Sequence, residues 1–114
     1  MSRDILFLLP PGFSDNDRRE FCPECAEIWG VLSYYPAIKE AIDIRYQPID
    51  RPRLEMTGLF GDEHQNCPTL MLSDDADAGE VPIKTANGAR LIDNARDIAK
   101  YFAHRYGTAF PRGS

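Results

Sequence analysis

Positive charge is in deficit in this chain. Thirteen Lys and Arg stand against 18 Asp and Glu, a formal net charge of −5, so no basic face for nucleic acid is expected. Long apolar runs are missing as well. The longest, Ile5 to Pro11, is far shorter than the roughly 20 residues a membrane-spanning helix needs, and no membrane partner is expected. Met1-Ser2-Arg3-Asp4 leads straight into that run with no small-residue cleavage site behind it, which does not read as a signal peptide. The sequence holds no repeats and no low-complexity segment. Cysteine is scarce, with three in 114 residues, and an odd number argues against a secreted disulfide framework. A reducing, cytoplasmic compartment is therefore the expectation. There a Cys-x-x-C is more often redox-active or metal-binding than structural.

What remains is ordinary for a globular chain: 43% apolar and 27% charged residues, enough for one compact domain. That domain is expected over residues 1–107, with 108–114 as a disordered tail. Asp4 to Leu9 reads as a buried strand stopped by Pro10-Pro11-Gly12, and Ser14 to Glu20 as a polar loop. A helix is expected from about Cys22, with Pro23 in its first turn, where a missing N–H costs nothing. Cys25, Ile28, Trp29, Leu32 and Tyr35 recur on one face of it. Pro36 should end or kink this helix, with a second short piece over 37–42. Strands follow over 42–46, 69–72 and 89–92, the last after an Asn87-Gly88 hairpin signal, with a weak helix between at 53–61. Residues 74–80 read as an exposed acidic excursion. In the final helix Asp93 is the expected N-cap and Gly107 the C-terminal cap. The order is β-α-β-α-β-β-α.

Two motifs carry chemistry. Cys22-Pro23-Glu24-Cys25 precedes the first helix, and Cys67-Pro68-Thr69 opens the third strand. Backbone N–H groups and the macrodipole at a helix start favour a thiolate there. Glu24 opposes this unless it points to solvent. Cys22 would attack, and Cys25, one turn in, would resolve the mixed disulfide.

The position of these motifs resembles the thioredoxin-like superfamily, nearest to the glutaredoxins and the N-terminal domain of glutathione transferases. Glutaredoxins typically carry Cys-Pro-x-Cys, as here. The transferase domain is matched by Pro68-Thr69-Leu70, Gly88, the stretch from Leu91 to Phe102, and Arg105-Tyr106-Gly107. The resemblance covers most of residues 4–107. It implies an α/β fold with a central mixed four-stranded sheet flanked by about three helices. It also implies a cis Pro68 that sets the Cys67 backbone beside Cys22, to align glutathione or a protein disulfide. Asp93 falls on the acidic position that would take the glutathione amino group. Asn94 replaces the serine that helps hold its carboxylate. The long loop before Phe21 and the lack of a lysine just before Cys22 depart from a glutaredoxin.

Three functions are consistent with these residues. One is a glutaredoxin-like thiol–disulfide oxidoreductase, with Cys22 and Cys25 catalytic, Cys67, Pro68, Asp93 and Asn94 binding substrate, and glutathione as co-substrate. Another is a metal-binding module in which Cys22, Cys25, His64 and Cys67 hold zinc or an iron–sulfur cluster. The third is a redox-inert interaction domain using the face around Pro68.

Overall fold

A computed structural model describes residues 3–114. Among these, the elements in chain order are β1 (Ile5–Leu8), β2 (Phe13–Asp15), β3 (Arg18–Glu20), α1 (Pro23–Tyr34), α2 (Pro36–Ala41), β4 (Asp43–Tyr46), α3 (Leu54–Phe60), β5 (Thr69–Met71), β6 (Lys84–Ala86), β7 (Ala89–Ile92) and α4 (Ala95–Tyr106). They make an α/β protein whose main sheet is mixed, with five strands in the order β4-β1-β5-β7-β6. The strand and helix numbers correct the expectation. Both arms of the Asn87-Gly88 hairpin join the sheet, adding β6 at its edge. Pro36 separates α1 from α2 outright, giving four helices.

β1 is buried along its whole length. It lies between β4, to which it is parallel, and β5, to which it is antiparallel. The parallel pair requires a crossover connection, and α1 with α2 supplies it. Side chains alternate across a strand. Phe7 therefore meets the ring of Phe60 in α3 edge-on, centroids 5.7 Å apart, while Leu6 and Leu8 face the opposite layer. α1 and α4 pack on one another, bringing Ile28, Leu32, Ile98 and Phe102 into the same core.

Registry decides where the chemistry collects. Phe7 pairs with Thr69, so the end of β1 lies beside the start of β5. Leu70 pairs with Ile92, which sets the end of β7 beside that same start. The start of α1, the Cys67-Pro68 turn and the start of α4 thus share one end of the sheet. At the other end, buried Asp4 accepts from Ser73 N–H at 2.8 Å, Tyr101 Oη–H at 2.5 Å and Arg105 at 2.9 Å. A buried charge persists only when its acceptors are filled in this way.

The polar loop expected over 14–20 is a hairpin instead, β2 paired with β3. Its turn residues Asn16 and Asp17 have φ of 52° and 58°, the left-handed values a two-residue hairpin turn needs. The short arms carry no apolar alternation, so no strand pattern marks them. In the acidic excursion, Ala76 and Ala78 are buried because Arg90 draws the loop inward, donating to the carbonyls of Ser73, Asp74 and Ala76. The segment 108–114 has neither helix nor strand, and Ala109 to Arg112 line a groove with Tyr34 and Tyr35.

Candidate active site

Cys22 is the N-cap of α1, with extended backbone at φ −81° and ψ 116°. Its sulfur accepts the Cys25 N–H at 3.2 Å. Pro23 occupies the first turn, as its fixed φ and missing N–H favour. A negative charge on this sulfur would meet one backbone donor directly and the positive end of the α1 dipole. The same thiol lies 3.7 Å from the carbonyl oxygen of Cys67, and the Cys67-Pro68 peptide is cis.

The second thiol differs in kind. Cys25 is buried, and its sulfur accepts the Leu9 N–H at 3.5 Å. Burial, and then the hydrogen bond and charge of Cys22, push the Cys25 thiol far up, against the pull of the Leu9 N–H. It is therefore a neutral, protonated thiol beside a half-exposed one. Cys67 is pushed up to about 11, chiefly by burial. Arg53 and Arg51 pull it down and Cys22 pushes it up. No disulfide joins any of the three.

Cys67 contributes by its backbone. Its carbonyl faces Cys22 while its sulfur turns into the core, 3.8 Å from the Met56 sulfur. The set Cys22, Cys25, His64 and Cys67 consequently does not converge on one point. Among the described residues no three His, Cys, Asp or Glu side chains gather as a metal ion held within one chain requires. His64 is half-buried in the loop after α3.

Asp93 is not the cap of α4. Asn94 is, its Oδ1 accepting from Asp97 N–H at 2.9 Å. The physical reason is a competing partner: the Asp93 carboxylate is engaged by Lys84 of β6 at 2.8 Å. The Asp93 carbonyl also accepts from the Asn66 side chain at 2.8 Å, which ties the residue before Cys67 to the start of α4. Glu24 does not simply point to solvent either. Its carboxylate accepts the Ala95 N–H at 3.3 Å, at the anion-favouring end of α4.

Sequence reading missed Arg53. This buried guanidinium donates to the carbonyls of Pro48, Ile49 and Gln65, and its own N–H to the Gln65 side chain at 2.8 Å. It locks the loop after β4 to the segment entering Cys67. An isolated arginine in a loop gives no local signal of that role.

On another side, Cys22 and Cys25 border a cleft of about 220 Å³ with Leu9, Pro10, Phe21 and Trp29. A larger open hollow of about 540 Å³ lies around Lys100 and His104 and holds no cysteine.

Fold and site together define an α/β protein with a Cys-x-x-C capping a helix beside a proline-opened strand. Residues 3–110 match the family described as protein of unknown function (DUF3088). The chain belongs to that family. None of the curated proteins matches it, and none of the solved structures does. Among the described residues no helix is long and apolar enough to cross a membrane.

Proposed function

We propose that this protein is a small thioredoxin-like thiol–disulfide oxidoreductase, resembling the glutaredoxins and acting on glutathione mixed disulfides or protein disulfides. The observation that carries this is the setting of Cys22: an N-cap sulfur 3.2 Å from the Cys25 N–H and 3.7 Å from the Cys67 carbonyl. Three unpaired cysteines suit a reducing, cytoplasmic compartment.

The Cys22 thiolate attacks one sulfur of a substrate disulfide. The substrate S–S bond breaks, a Cys22–substrate disulfide forms, and the departing thiolate takes a proton from water. Cys25 then gives up its proton and attacks the Cys22 sulfur. The second substrate half leaves as a thiolate and is protonated, and a Cys22–Cys25 disulfide remains. The substrate gains two electrons and the protein loses two. A thiol reductant such as glutathione returns them. During the first step the Cys67 backbone aligns the substrate as an added strand would, and Asp93 and Asn94 stand at the neighbouring start of α4.

Cys22→Ser should abolish reduction of a glutathione mixed disulfide. Cys25→Ser should retain part of the glutathione-dependent rate, because the mixed disulfide can be released by a second glutathione. Full activity in Cys22→Ser rejects the proposal.

A further inference from the structure

The apolar cleft beside the thiol pair shares one wall, Phe21, with a hollow that holds a cation. Phe21 is 60% exposed. It lines the cleft on one side and, on the other, a hollow formed with Arg18, Arg19 and Glu20. Arg18 is occupied by Glu20 at 2.9 Å. Arg19 has no ion pair among the described residues. Its guanidinium is seated over Gly12, where an added Cβ would come within 2.6 Å of Nη2. Gly12 directly follows Pro10 and Pro11 in the cleft wall. The β2–β3 hairpin therefore holds a positive charge in the hollow that adjoins the apolar recess across Phe21, in a protein whose net charge is −5.

Size narrows the occupant. Pockets that take whole small ligands run from about 300 to 1,000 Å³, and this one is about 220 Å³. It suits one large side chain, with the rest of the partner outside. Polar glutathione offers no such group.

Resting on the oxidoreductase reading above, we propose that the site selects peptide or protein disulfides in which a large apolar residue adjoins the reacting cysteine and a carboxylate lies next to it. The apolar side chain fills the Leu9–Phe21–Trp29 recess and the carboxylate meets Arg19. The electron transfer is the two-step exchange already written, with the peptide cysteine bonded to Cys22 in the intermediate and a glutathione-class thiol restoring the pair.

The test compares two peptide disulfides that differ only beside the cysteine, Phe-Glu in one and Ser-Gln in the other, with glutathione disulfide as reference. The reduced full-length protein should prefer Phe-Glu in kcat/KM by about tenfold or more, the range that filling an apolar pocket gives. Phe21→Ala should erode the phenylalanine component and Arg19→Gln the glutamate component. Both side chains are exposed, so folding is not at stake. Equal rates for the two peptides, or faster reduction of glutathione disulfide, overturn the selection while leaving the oxidoreductase intact. If no disulfide is reduced, the oxidoreductase reading falls. The cleft is then judged by binding of the same peptides with serine for cysteine, followed through Trp29, the single tryptophan. Tighter binding of Phe-Glu sustains the recognition surface, and equal binding overturns it.

Discussion

The Cys22 sulfur lies 3.7 Å from the carbonyl oxygen of Cys67, a residue 45 positions away. That contact joins the helix start to the proline turn and leaves the third cysteine's sulfur on the core side, against Met56. One cysteine offers its thiol to the site and another offers only its backbone.

Native alkylation should reveal this division. Cys22 is half-exposed, whereas Cys25 and Cys67 are 4% and 7% exposed. Burial pushes both of those thiols up, and the thiolate is the form that reacts. Iodoacetamide on the reduced protein should label Cys22 first, with Cys25 and Cys67 following only on unfolding. Peptide mass spectrometry over time reads this directly. Labelling of Cys67 as fast as Cys22 contradicts the arrangement.

The start of α4 gives a second expectation. Asn94→Ala removes the side chain that caps Asp97 N–H and should cost about 1 kcal/mol. Asp93→Asn loses a pair with Lys84 that is largely solvated on the lysine side, worth roughly 0–1 kcal/mol. Urea denaturation of the two variants ranks them. Because Asn caps as well as Asp, Asp93→Asn reads the Lys84 pair alone, and a larger loss there than for Asn94→Ala would mean that this pair outweighs the Asn94 cap.

Alkaline stability follows from the buried thiols. Cys67 shifts from an ordinary 9.0 to about 11 on folding, and Cys25 shifts the same way. Below 9.0 the thiol is protonated in both states. As pH rises from there, the unfolded chain releases its protons while the folded one holds them. Folding free energy is therefore fully present below the ordinary value and is lost on the way to about 11. The reduced protein should lose stability through that interval, and Cys67→Ala should flatten the loss. Denaturant midpoints measured as pH rises check it, and an unchanged slope in Cys67→Ala counts against a Cys67 contribution.

Much of this molecule was legible along the chain. A short continuous apolar run marked β1 and helical spacing of apolar residues marked α1 and α4, and Gly107 closes α4 in the left-handed conformation at φ 70°. Asn87-Gly88 marked its hairpin, and Pro36 marked the break between α1 and α2. Other features left no pattern. The β2–β3 hairpin turns on Asn16-Asp17 without glycine, in arms too short and polar to alternate. Asn94 and Asp93 are equally good caps by residue type, and Lys84 on a neighbouring strand separated them. Nothing local marks Arg53 or Arg90, yet each collects backbone carbonyls from the loops around it.

By itself the amino-acid order determined the local elements and the reactive pair at a helix start. Period and proline geometry act over a few residues and need no partner. Which sulfur faces outward and which carbonyl meets it were decided only when β1, β5 and β7 took their register. Those contacts join residues dozens of positions apart, and burial, not sequence spacing, sets them.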